Sequence, residues 1–249
     1  MKILDRLYNK SKLWFSIAWI ICYCVLLSVG DGISEDLGVE KAVTLPIAFL
    51  MSVILVLFLK KNRLFATYGL SAPKASVSSM LFYIPIMIML TANTWSGLAV
   101  KYSILESILY ILTMFCVGFL EEMIFRGLLF GAMVNDTPKA AIIVSSLTFG
   151  IGHIINLFNG SGADILPNIL QIIYATAAGF MFVMIYIKSG SLVGCILTHS
   201  VFNALSVFQR EPSIKTQIIT SILLTLITGG YAIYLAISLK KDKKVRNKQ

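Results

Sequence analysis

Apolar residues in this chain run in long unbroken blocks. Eight blocks stand out, at about residues 13–29, 42–59, 77–95, 104–134, 140–158, 165–187, 191–208 and 217–239. Each approaches the ~20 residues that a helix needs to cross a ~30 Å hydrocarbon layer. Blocks without a two-residue alternation argue against a barrel, so the pattern predicts an all-α, polytopic membrane bundle with about eight transmembrane helices. Pro85 predicts a kink in the third span, and Pro167 sits near the start of the sixth. Ala175, Ala177, Ala178 and Gly179 give the sixth span a small-residue face suited to close helix contact. A basic start and Ser28-Val29-Gly30 form a weak cleavage pattern, but the long block and the spans after it favour a retained first helix.

Composition agrees with this picture. The chain has 249 residues, of which 57% are hydrophobic and 13% charged, against about a quarter charged in soluble domains. It reads as one integral-membrane domain, 1–249. The formal net charge of +9 does not point to nucleic acid, because the basic residues cluster beside the apolar blocks. With a cytoplasmic N-terminus, only Lys41, Lys101, Arg210 and Lys215 of the 21 Lys and Arg fall in outer segments. The others, Arg126 included, fall on the inner set. That bias predicts eight spans with both termini cytoplasmic, in a multi-pass protein of the cell membrane whose standing partner is the lipid bilayer. Asp31, Glu35, Asp36 and Glu40 are expected in the first outer loop, and the basic tail 240–249 reads as a cytoplasmic anchor. Cys22, Cys24, Cys116 and Cys195 all lie in apolar blocks without a C-x-x-C pair, and are expected to be buried free thiols.

One stretch breaks the apolar pattern. Glu121, Glu122 and Arg126 put three charges into six positions of the fourth block. Each charge costs about 2.5–3.5 kcal/mol at mid-bilayer on insertion scales, so packing alone is a poor reason for them. The only two histidines, His153 and His199, are also inside spans. At ~1.5 Å per residue, Glu122, His153 and His199 lie roughly 18, 21 and 17 Å from their inner ends, provided the fourth helix continues past Arg126. One shared site is therefore expected. Glu122 and Arg126 are i,i+4 and should pair, leaving Glu121 turned about 100° away, toward a cavity, as the tunable base. Phe149 and His153 are also i,i+4, as are His199 and Asn203. Asn203 can present its amide beside His199 as an oxyanion donor, or simply make an interhelical hydrogen bond. No nucleophilic-serine elbow, Walker loop or H-E-x-x-H helix is present. Gly150 and Gly152 read as packing positions.

At these residues the chain resembles the intramembrane protease family of CAAX prenyl endopeptidases and bacteriocin-processing proteins (CPBP, also called ABI). The family pattern is E-E-x-x-x-R, F-x-x-x-H and H-x-x-x-N. It stands here as Glu121-Glu122 with Arg126, Phe149 with His153, and His199 with Asn203, within a core spanning residues 104–208. The resemblance implies an eight-helix bundle whose glutamates and histidines face a cavity open toward the cytoplasm. It implies intramembrane endopeptidase activity on a membrane-associated peptide or lipidated peptide, and the short loops look like those of a compact member from a bacterial plasma membrane. Two mechanisms fit. Glu121 with His153 activates water while His199 and Asn203 stabilise the oxyanion, or Glu121, His153 and His199 hold a Zn²⁺ ion. The first is preferred, because no pair of candidate ligands has standard zinc-motif spacing. Competing readings are a non-proteolytic membrane immunity or partner protein of the same family and a proton-coupled transporter. Transport is disfavoured by the lack of paired broken helices or repeat halves.

Overall fold

The computed structural model describes residues 2–75, 84–158 and 164–246. Its described residues fold into helices, with one isolated bridge as the only β-type pairing. A short helix α1 (Lys2–Lys10) precedes α2 (Lys12–Asp36) and α3 (Thr44–Lys61). Then come α4 (Ile84–Thr91), α5 (Ile104–Met133), α6 (Pro138–Gly152, extended as a 3-10 turn through His153–Leu157) and α7 (Ile165–Ser189). The last two are α8 (Val193–Leu205, extended by Ser206–Phe208) and α9 (Ile214–Arg246). Six of these are long and apolar enough to cross a membrane, while the segments Ile84–Thr94 and Val193–Phe208 are shorter apolar helices. The expected bundle is therefore present. The first seven residues of the expected third span lie outside the described residues, as does the chain just before Pro85 where a kink was expected.

Contacts between loops sort the helix ends into two layers. At one end, Lys61 pairs with Asp5, Leu192 N–H donates to Gly69 C=O at 2.8 Å, and Lys74 N–H donates to Ser189 C=O at 2.8 Å. At the other, Ala99 N–H donates to Phe208 C=O at 2.8 Å, Arg210 N–H donates to Gly97 C=O at 3.0 Å, and Leu98 bridges Gln209. Every one of these pairs joins segments that the basic-residue bias assigns to the same side. The same bias labels the first layer the inner end and the second the outer end.

Two boundaries differ from expectation. Helix α2 runs on past its apolar block to Asp36, so Asp31, Glu35 and Asp36 belong to its last turns and not to a loop. Propagation costs little once a helix is nucleated, and Asp31 finds partners there, accepting from Lys41 Nζ at 2.8 Å and Thr44 Oγ1 at 2.6 Å. The N-terminal basic stretch is not merely a topology signal either. Helix α1 docks Tyr8 against Phe15 and Phe58, and its hydroxyl meets that of Tyr68 at 2.9 Å.

The centre of the bundle is made by α5, α6, α7 and α8. Ser103 and Glu106 close a capping box that starts α5. Small residues then let the backbones converge. A Cβ on Gly118 would collide with Ser200 of α8, and one on Gly150 with Thr176 of α7. The small-residue face of α7 behaves as expected, with Ala175, Ala178 and Gly179 buried and Gly179 against Ser146. Gly152, expected as a packing position like Gly150, has open space where a Cβ would go and lines a cavity instead. The thiols are all free, but only Cys195 is buried. Cys22 is exposed on the outer surface of the bundle, and Cys24 and Cys116 are half-buried. An apolar block in a membrane protein faces lipid as readily as core, so hydropathy alone overstated their burial.

Candidate active site

Helix α5 continues past Arg126 to Met133, as the depth argument required. It does so with a change of geometry. Residues Glu122–Leu129 form a π-helical segment, and all eight of them are buried. Such i→i+5 segments are rare and concentrate at functional sites. Here the segment begins at the second of the two adjacent glutamates.

The pairing expected within this stretch is present. Arg126 Nη1 donates to Glu122 Oε1 at 3.0 Å, and both side chains are fully buried. The guanidinium also lies flat against aromatic faces, with its Cζ 4.0 Å from the Phe149 ring centroid and 5.6 Å from that of Phe182. These faces compensate a cation whose Nε and Nη2 have no hydrogen-bond partner among the described residues. Glu121 points elsewhere and lines a cavity of about 360 Å³.

Helix α8 inserts His199 between the carboxylates. His199 Nδ1 meets Glu122 Oε1 at 2.9 Å, and Nε2 lies 3.3 Å from Glu121 Oε2. An ionised carboxylate only accepts, so Nδ1 carries the proton donated to Glu122. Nε2 is then turned toward Glu121. The ring is clamped by Phe182, nearly parallel at 5.7 Å, and by the edge of Phe149 at 5.6 Å. His153 comes from the end of α6. Its Nδ1 lies 3.0 Å from the Phe149 carbonyl oxygen, which fixes Nδ1 as the donor and leaves Nε2 free to accept. His153, Glu121 and Asn203 line the same cavity. The backbone carbonyl of His153 is tied in turn by Asn168 Nδ2 at 2.8 Å.

Two contributors were not foreseen. Tyr23 of α2 donates its hydroxyl to Glu121 Oε1 at 2.7 Å, while His199 Nε2 faces the other oxygen, Oε2. Nothing in the apolar pattern of the first block distinguishes this tyrosine from a lipid-facing one. Phe149 had been read only as the partner of His153. In the structure its ring touches Phe125, Arg126, His153 and His199 together, so it spaces the whole polar cluster.

Glu121, His153 and His199, the residues considered as Zn²⁺ ligands, are not arranged as a metal-holding trio. No other group of three His, Cys, Asp or Glu among the described residues is so arranged. From Glu121 the cavity extends to Asp31, Lys41 and Gln209.

Two carboxylates, two imidazoles and an amide thus come together inside the bundle. Residues 103–205 match the family model described as type II CAAX prenyl endopeptidase Rce1-like. The matched segment carries Glu121, Glu122, Arg126, His153, His199 and Asn203, whereas Tyr23 lies outside it. No curated protein matches the chain. The matched family is one of CAAX-type proteases, and six helices of this chain are long and apolar enough to cross a membrane.

Proposed function

We propose that the chain is an intramembrane endopeptidase that hydrolyses a membrane-associated peptide with a water activated by Glu121. The observation that carries this reading is the position of Glu121, 3.3 Å from His199 Nε2, on the wall of a cavity shared with His153 and Asn203. Water bound at Glu121 gives its proton to the carboxylate as its oxygen adds to the substrate carbonyl carbon. The proton has a short path onward to His199 Nε2. The imidazolium so formed is backed by Glu122 at Nδ1, as a buried carboxylate backs the histidine of a serine-protease triad. His199 Nε2–H and the Asn203 amide are then the donors for the oxyanion. When the tetrahedral intermediate collapses, the C–N bond breaks and the leaving amine takes the proton back. His153 Nε2 faces the same space and relays protons between water and the amine.

The match to a prenyl endopeptidase family supports a peptide bearing a prenyl lipid as one substrate class, and a compact bacterial plasma-membrane protein is the setting we favour. The test uses detergent-purified protein incubated with a library of membrane peptides, with cleavage read by mass spectrometry. Wild-type protein should cut a subset of the library, and Glu121→Gln should cut none while keeping wild-type expression and thermal stability. Cleavage by Glu121→Gln at the wild-type rate would remove Glu121 from the chemistry.

A further inference from the structure

We infer that a groove formed by α6, α7 and α9 holds one anionic phospholipid, with an acyl chain laid along the groove and the headgroup on Lys139. The groove has a volume of about 630 Å³, within the range of small-molecule sites. Its walls run along α7 from Ile173 to Met184 and along α9 from Thr225 to Ala236, and Lys139, Ile142 and Ile143 of α6 close one end. Small residues make the floor, where Ala177 faces Gly229. Two threonines in the lining add little polarity. Thr225 Oγ1 donates to the Ser221 carbonyl at 2.7 Å, and Thr176 Oγ1 is turned against Gly150. The groove is separate from the candidate active site. Ala177 lines the groove, while Ala175, Ala178 and Phe182, on the opposite face of α7, line a small pocket against His153, His199 and Asn203.

Length and charge identify the occupant. Each wall rises about 16 Å, close to half of the ~30 Å hydrocarbon layer. The groove therefore runs through one leaflet and stops, which suits the chain of a lipid in that leaflet. A neighbouring transmembrane helix would use a seam across the whole layer. Charge sits at one end only. Lys139 lines that end and has no ion-pair partner among the described residues. Lys188 follows Met184 by one turn of α7 and donates to Ser238 Oγ of α9 at 2.6 Å, and Lys240 follows Ala236 by one turn. None of the lining residues is acidic, and Asp136, near Lys139 in the chain, is not among them. The other end, at Ile173 and Thr225, is uncharged. Apolar walls that finish in lysines complement an acyl chain that finishes in an anionic headgroup. The lipid belongs to whichever leaflet meets the Lys139 end.

The experiment is native mass spectrometry of the full chain, delipidated in mild detergent and titrated with phosphatidylglycerol or phosphatidylcholine. Wild type should bind one phosphatidylglycerol at least about fivefold more tightly than phosphatidylcholine, the effect of one lysine beside an anionic headgroup. Lys139→Ala should remove that preference by weakening phosphatidylglycerol alone. Two adjacent glycines of α9 then separate the groove from the general lipid-facing surface. A Cβ on Gly229 would meet only Ala177 Cβ, at 3.9 Å, so Gly229→Leu fills the groove without a clash against the backbone and should abolish the tight site. Gly230 is exposed, has open space around it and lies outside the groove, so Gly230→Leu should bind as wild type does. Equal binding by the two leucine variants overturns the inference, as does equal affinity of wild type for the two lipids. A dimer that Gly229→Leu dissociates would put a second copy of the chain in the groove and overturn it as well. Should Gly229→Leu fail to fold, Lys139→Ala decides alone, and an unchanged preference for phosphatidylglycerol in that variant refutes the headgroup site.

Discussion

Arg126→Ala tests whether the polar cluster is built as described. The substitution removes the guanidinium partner of a carboxylate that is itself fully buried. It also empties the guanidinium site against the Phe149 and Phe182 rings. A hydrogen bond to a charged group contributes about 1.5–3 kcal/mol, and a desolvated cation–π contact about 2 kcal/mol. The sum agrees with the ~3–5 kcal/mol lost when one member of a buried ion pair is removed. His199 Nδ1 still donates to Glu122 in the variant, which favours the lower half of that range. The assay is reversible unfolding in mixed micelles, followed by tryptophan fluorescence. A second variant, Glu122→Gln with Arg126→Met, removes both charges and keeps the volume. It should be more stable than Arg126→Ala, with a coupling of at least about 1 kcal/mol in the double-mutant cycle. If Arg126→Ala unfolds within about 1 kcal/mol of wild type, Glu122 is not held as an ion by Arg126, and its role behind His199 falls with it.

Three further outcomes follow from the same geometry. Asn203→Ala should lower kcat on the order of 10²–10³ with little change in KM, because the oxyanion exists only after water has attacked; a matched rise in KM would make Asn203 a substrate-binding residue instead. Tyr23→Phe removes the hydroxyl that donates to Glu121 at 2.7 Å, and should lower kcat about 10–100-fold, the rate equivalent of one charge-assisted hydrogen bond; full activity in steady-state kinetics would make Tyr23 a bystander. Protein stripped by chelator and shown by elemental analysis to lack zinc should stay active; activity recovered only on adding stoichiometric zinc would sink the glutamate-activated water and make His153 and His199 ligands.

The sequence made the site readable because charge inside an apolar block is costly and therefore conspicuous. Glu121, Glu122, Arg126, His153 and His199 stand out against their surroundings without any structure, and helical spacing pairs Glu122 with Arg126 correctly. Periodicity also orders the helix ends well enough that every loop contact described falls on one side. What stays hidden is whatever uses ordinary residues. Tyr23 is separated from Glu121 by 98 positions and sits in a block where an aromatic residue raises no suspicion. Phe149 spaces four groups through its ring, a job that no local pattern announces. The π-helical segment is equally silent, since its residues would suit an α-helix. The shape of the cavity is silent as well, since it depends on which helix faces diverge around Glu121, a property of packing that three short motifs do not encode.

The short reach of α8 has a consequence for the lipid around the protein. Val193–Leu205 as α-helix and Ser206–Phe208 as 3-10 turn rise only about 25 Å, against ~30 Å of hydrocarbon in a typical bilayer. Backbone bonds hold both ends, Leu192 to Gly69 below and Gln209 and Arg210 against the 97–98 strap above. The helix cannot lengthen its span by unwinding at either terminus without breaking one of these clasps. The bilayer has to adapt to it, thinning along that flank at a cost of a fraction of a kcal/mol per Å of mismatch. His199 and Asn203 ride on this helix, so acyl-chain length bears directly on two residues of the proposed site. In vesicles of increasingly long-chained phospholipids, strain should accumulate at the two clasps before it reaches the longer helices.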